Sequence, residues 1–129
     1  MRAEDLAGLT PARALEEVRR ALEEACCPDA AYDARVLCRL ATGRDPRLDE
    51  RPLSEEVAQK LAQDTGRRCG RYPLQYLAGS WEFLDLELQV GPGVLIPRAD
   101  TETLCLAAAD TLKGGQGALA LDLCSGSGC

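Results

Sequence analysis

Apolar residues recur at steps of three and four through the first 70 residues and then shift to near-alternation, so the chain reads as helices followed by strands. Leu15, Val18, Leu22 and Ala25 form one stripe, with Thr10 as its cap, Pro11 at the first helical position and Pro28 at its end. Asp29 caps a second helix whose buried stripe is Ala34, Leu37, Cys38 and Ala41, before Gly43 and Pro46 break it. Ser54 caps a third, with Val57, Ala58, Leu61, Ala62 and Thr65 on its apolar face. Arg67, Arg68 and Arg71 cluster near its end, where cations suit the helix dipole. The plain reading of that cluster is a solvated helix end; the alternative is a surface for an acidic partner. A helical bundle without polar constellations is a recognition or scaffold module.

From Trp81 the period changes. Phe83, Leu86, Leu88 and Val90 interleave with Asp85, Glu87 and Gln89, as in a strand with one wet face. Val94-Leu95-Ile96 after Gly91-Pro92-Gly93 supplies a second short strand, so a hairpin turning near residue 92 is expected. Thr101 or Asp100 then caps a helix with Leu104, Ala107, Ala108 and Leu112 inward, and 114–117 form the loop after it. Ala118 to Leu123 is almost wholly apolar, as expected of a strand in a parallel sheet covered on both faces, and it runs into a turn at Gly126 and Gly128. Asp122 sits near the carboxyl end of that strand, the end that faces the ligand crevice in open α/β sheets. A glycine turn there lets backbone N–H groups approach a small polar ligand. Taken alone, Asp122 with two glycines also fits an ordinary strand-to-helix turn.

Composition narrows the classes. The 129 residues are 46% hydrophobic and 28% charged, enough for a core and for a wetted surface, with a net charge of −6. That balance argues against independent binding of nucleic acid or an anionic membrane, both of which need a basic footprint. No apolar run approaches a membrane span and the N-terminus lacks the pattern of a signal peptide, so a cytoplasmic protein is expected. The seven cysteines show no C-x-x-C pairing and there is no histidine to complete a mixed zinc site, so reduced thiols and no metal are expected.

The stretch Arg71-Tyr-Pro-Leu-Gln-Tyr-Leu-Ala-Gly79, then Trp81-Glu-Phe83, Val90-Gly-Pro-Gly-Val-Leu-Ile-Pro-Arg98 and Asp100-Thr-Glu102, resembles in order and spacing the linker signature of the peptide chain release factor glutamine methyltransferases, the HemK/PrmC family. The resemblance is specific over Arg71 to Cys129 and diffuse before it. It implies a multidomain fold: an N-terminal all-α helical bundle over 1–72 that helps grip the release factor, a β-hairpin linker over 73–97, and over 98–129 the start of a Rossmann-like α/β class I methyltransferase domain. It implies S-adenosyl-L-methionine as cofactor, a release factor as protein partner, no nucleic acid, and a monomer. The chain therefore reads as the N-terminal portion of an enzyme that methylates the glutamine of a Gly-Gly-Gln motif, inactive by itself, with its catalytic groups expected beyond Cys129. The Asn-Pro-Pro-Tyr motif that holds the substrate glutamine in this family is not in the sequence, which has no asparagine.

The same resemblance makes Asp122, Cys124, Ser125, Gly126, Ser127 and Gly128 candidates for the cofactor turn. Arg98, Thr101 and Glu102 join them as a second rank, because the Pro-Arg-x-x-Thr-Glu segment lies beside the cofactor in the family. Without it, Arg98 and Glu102 would read as solvated surface and a helix-dipole carboxylate. Two departures stand out: Ala99-Asp100 where Pro-Glu is commoner, and Cys124 where the first glycine of the turn is usual, a cysteine there making φ > 0 costly. A reactive Cys124 thiolate at a helix N-terminus is the minor alternative. Gly114-Gly115-Gln116 matches the tripeptide that release factors carry and is read as coincidence. A stand-alone helical binding module and a methyltransferase for another substrate remain the competing classes.

Overall fold

Pro11 takes the first position of helix α1 (Pro11–Glu24), where its missing N–H would have had no partner in any case, and Thr10 precedes it in extended geometry without a side-chain cap. Ala14, Val18 and Leu22 then fall at four-residue steps and are fully buried, while Leu15 and Ala25 are only half-buried. In the computed structural model, which describes residues 1–115, 117, 119–123, 125 and 126, the chain divides into two compact units, Met1–Ala78 and Gly79–Cys129.

The first unit holds a short 3-10 turn (Ala3–Asp5), α1, α2 (Ala30–Thr42), α3 (Glu55–Cys69) and the one-turn α4 (Leu74–Ala78). Helices α1, α2 and α3 each touch the other two, and the 3-10 turn packs on α3. Each contributes a stripe to one core: Ala34, Leu37 and Cys38 from α2, Ala58 and Leu61 from α3, Leu6 and Leu53 from the connecting segments. Gly43 ends α2 in the left-handed region at φ 71 and returns its N–H to the Arg39 carbonyl at 2.7 Å. The Ser54 hydroxyl caps α3 through the Val57 N–H at 3.4 Å. Two bonds, Gly8 N–H to the Leu53 carbonyl at 3.0 Å and Leu53 N–H to the Leu9 carbonyl at 2.9 Å, stitch the segment before α1 to the segment before α3.

Both α1 and α3 end in the same six-residue hydrogen-bonded cap. Cys27 N–H bonds the Leu22 carbonyl at 2.9 Å and Cys26 N–H the Glu23 carbonyl at 2.8 Å; Tyr72 N–H bonds the Arg67 carbonyl at 3.0 Å and Arg71 N–H the Arg68 carbonyl at 2.9 Å. This is the Schellman arrangement, yet the residue in the left-handed position is Cys26 (φ 54) in one and Arg71 (φ 68) in the other, where glycine is usual. Helix α1 therefore stops well before Pro28.

In the second unit the hairpin differs from the expectation. Strands β1 (Ser80–Phe83) and β2 (Leu86–Gln89) pair antiparallel, Trp81 opposite Leu88 and Phe83 opposite Leu86, so what reads as one strand from Phe83 to Val90 reverses at Leu84-Asp85. Leu84 adopts φ 52 at the first turn position, a place that favours glycine, and without a glycine the sequence carries no turn signal there. Apolar residues stay on one face because a two-residue turn preserves the alternation. Val94-Leu95-Ile96 is irregular chain, not a strand.

Helix α5 (Ala99–Leu112) begins with Arg98 as its N-cap, so Asp100 and Glu102 lie in its first turn and neither Asp100 nor Thr101 is the cap. None of its residues is buried: Leu104 is 68% exposed, and Ala107, Ala108 and Leu112 also face solvent, against the inward placement expected of them. A two-stranded hairpin offers too little apolar area to cover a helix of this length, and Leu104 and Leu106 lie on nearly opposite sides of it. Residues 119–123, the described part of the strand expected from Ala118 to Leu123, run as irregular chain with Leu119, Leu121 and Leu123 exposed. A parallel-sheet strand needs neighbours for its N–H and C=O groups, and the two described strands pair only with each other.

Candidate functional site

Five of the nine expected site residues line a groove of about 500 Å³ in the second unit. Arg98 and Thr101, from the N-terminus of α5, line it together with Asp122, Ser125 and Gly126, while Leu95, Ile96, Leu104 and Leu121 supply apolar wall. The geometry follows from the local sequence: Pro97 ends the irregular segment, Arg98 caps the helix, and Thr101 sits one turn in. Gly126 is at φ 59, a left-handed conformation that a residue with a Cβ adopts only at a cost. Cys124, Ser127 and Gly128 lie outside the described residues, as does Gln116 of the Gly-Gly-Gln tripeptide.

Glu102 is not among the groove residues. Its Oε1 accepts a hydrogen bond from the Leu84 N–H at 3.1 Å, so it ties the start of α5 to the hairpin turn. The side chain thus serves the one strained position of the turn. Sequence spacing groups Glu102 with Arg98 and Thr101, but the single residue step from Thr101 turns it about 100° around the helix to a neighbouring face.

Of the arginines at the end of α3, Arg67 and Arg71 are exposed, as a solvated end implies, while Arg68 turns inward. Arg68 Nε donates to Asp33 Oδ2 at 2.7 Å, both side chains being largely buried, and its Nη1 reaches the Tyr72 carbonyl at 3.4 Å. Arg67 lies 4.0 Å over the Tyr72 ring, and Arg71 donates to the Ala25 carbonyl at the end of α1 at 3.1 Å. The sequence signal was available: Asp33 falls in phase with Ala30, Ala34 and Leu37, and an acid inside an apolar stripe asks for a buried cation. Among the described cysteines, all five are free thiols, and burial pushes that of Cys38 up to about 12. Burial also raises Cys69, with the neighbouring Cys27 adding to the effect. No described helix is long and apolar enough to cross a membrane, and no described group of three or more acidic, cysteine or histidine side chains gathers as a metal site.

A helical unit is thus followed by a hairpin and by a helix with a polar-rimmed groove at its start. Residues 13–79, just over half of the chain, match the family model described as the PrmC N-terminal domain. Three relatives are similar over most of the chain, each named release factor glutamine methyltransferase. That of Corynebacterium glutamicum is 36% identical over 93% of this chain and 43% of its own length, and that of Bifidobacterium longum 40% over 83% and 40%. That of Moorella thermoacetica is 36% identical over 93% and 44%. The chain belongs to the release factor glutamine methyltransferase family, and it spans about two fifths of the length of these relatives.

Proposed function

We propose that this chain supplies the partner-gripping helical domain (1–72), the hairpin linker (73–97) and the opening of the cofactor domain (98–129) to an enzyme that methylates the glutamine of the Gly-Gly-Gln motif in peptide chain release factors, with S-adenosyl-L-methionine as donor. The observation that carries the reading is the groove joining Arg98 and Thr101 to Asp122, Ser125 and Gly126, in a chain of this family. Its chemistry fits the donor's amino-acid end. Asp122 matches an ammonium, Arg98 a carboxylate, and Thr101 and Ser125 offer hydroxyls, while the left-handed Gly126 admits close backbone approach. A groove of about 500 Å³ is also within the range of small-molecule sites.

When bound, the donor supplies an electrophilic methyl group on a sulfonium. The residues of this chain hold and orient it; an amide nitrogen is a weak nucleophile, so positioning and polarisation of the amide carry the rate. The groups that hold the glutamine amide belong to the remaining length that the relatives possess. Half a cofactor site binds poorly, since each missing charge-assisted bond is worth about 1.5–3 kcal/mol.

Calorimetric titration tests this. The 129-residue chain should show no micromolar affinity for S-adenosyl-L-methionine. The protein extended through the relatives' full length should bind it and lose that binding on Gly126→Val. Indifference of the extended protein to the substitution would refute this placement of the site. The self-contained core of the first unit also supports a second reading, a helical protein-binding module; capture of a release factor by the first unit with no response of the extended protein to the donor would favour it.

A further inference from the structure

Arg68 is paired internally with Asp33, while Arg67 and Arg71 are exposed and meet the Tyr72 ring and the Ala25 carbonyl; a second exposed cationic group of the helical unit lies at the end of α2. Arg39 in the last turn of α2 and Arg44 just after it are exposed and line a groove of about 460 Å³ with Gly43, Asp45, Leu48 and Asp49. Arg35, one turn earlier on α2, is exposed as well and lies 5.8 Å over the Tyr32 ring. None of these three arginines takes part in a salt bridge among the described residues. In a chain of net charge −6 this is a local reversal of sign.

The loop that forms the groove is held rigid. Asp45 Oδ1 accepts the Arg47 N–H at 3.0 Å and Nε at 3.2 Å while its Oδ2 takes Nη2 at 2.9 Å; Asp49 does the same for Arg51 at 3.1, 2.9 and 2.9 Å. Pro46 is fully buried beneath, and Leu48 N–H closes a turn onto the Asp45 carbonyl at 3.1 Å. Both carboxylates on the groove wall are thus already neutralised by their own arginines. Between the two clamps Leu48 stands 85% exposed. A rigid loop presenting a lone leucine beside unpaired guanidinium groups carries little ordering cost on association.

We propose that this face, Arg39, Arg44 and Leu48, is the docking surface for the release factor, which meets it with an acidic segment bearing an apolar side chain. The assignment rests on the reading of the partner given above. The charge decides the character of the occupant: carboxylates on the partner pair with Arg39 and Arg44, and its apolar residue covers Leu48.

The test is titration of the 129-residue chain with a purified bacterial release factor, with helicity followed by circular dichroism. Arg39→Glu with Arg44→Glu, and separately Leu48→Asp, should each weaken binding by about tenfold or more, the arginine change also removing most of the salt dependence. Arg39→Lys with Arg44→Lys should keep most of the affinity, and Arg13→Glu on α1 should leave it unchanged. Equal binding by wild type and both variants would overturn the docking face while leaving the partner standing. No binding by the wild-type chain would overturn the partner and the face with it. Competition by a single-stranded RNA oligonucleotide at these arginines would assign them to nucleic acid and also overturn the proposal.

Discussion

Arg68 on α3 and Asp33 on α2 form a 2.7 Å ion pair in which the two side chains are 15% and 5% exposed, so the helical unit closes over a charge pair where a purely apolar stripe was expected. Removing one partner strands the other in a poorly solvated place. Arg68→Ala should lower the unfolding free energy by about 3–5 kcal/mol, whereas Asp33→Leu with Arg68→Met should cost far less or stabilise. Urea denaturation of the three proteins measures this; equal losses in the single and double variants would show that the pair is not the source.

Asp45 is held down to about 2 from its ordinary 3.8, chiefly by the hydrogen bonds from Arg47. A depressed carboxyl adds stability above its unfolded value and loses it as the pH falls toward 2. The side-chain carbon shift of Asp45 should therefore titrate near the bottom of that window, and Arg47→Gln should return it to the usual carboxylate range. An unchanged midpoint in Arg47→Gln would count against the clamp.

Cys38 behaves oppositely. Its thiol is pushed up to about 12 from 9.0 by burial, so the native state resists losing a proton that the unfolded chain gives up more readily. The stability it provides is complete below pH 9 and drains away as the pH rises toward 12. Cys38→Ala should flatten that alkaline loss, and iodoacetamide at pH 8 should modify exposed Cys26 while sparing Cys38 in the folded chain. Early labelling of Cys38 would contradict the burial.

The two helix ends that share one cap geometry should answer differently to the same substitution. Cys26→Gly relieves a left-handed residue and should stabilise by about 1 kcal/mol. Arg71→Gly relieves the same strain but also removes the bond to the Ala25 carbonyl, so the net change should be near zero. Thermal melts of both variants test the contrast, and a larger gain for Arg71→Gly would overturn it.

The helices were legible because their signals are local: Pro11, Asp29, Gly43 and Ser54 stand at the expected boundaries, and the buried stripes follow the apolar steps. Partners distant in sequence were not. Asp33 within its apolar stripe signals that a cation is needed but not that Arg68 supplies it, and nothing near Glu102 announces the Leu84 N–H; both pairings are consequences of packing. The hairpin turn was hidden because Leu84 takes a glycine's conformation. Of the candidate site, the groove unites Arg98, Thr101, Asp122, Ser125 and Gly126, sets Glu102 apart, and leaves Cys124, Ser127 and Gly128 outside the described residues.

The stitch between Gly8, Leu9 and Leu53 separates two notions of where this module begins. The match to the family model starts at residue 13, yet Leu6 is completely enclosed and the backbone of Leu53 depends on the segment ahead of α1 for both its donor and its acceptor. A gene trimmed to the matched region would encode a unit with an orphaned N–H, an orphaned carbonyl and a wetted core edge. For grafting this module onto another enzyme, the usable junction lies upstream of the 3-10 turn.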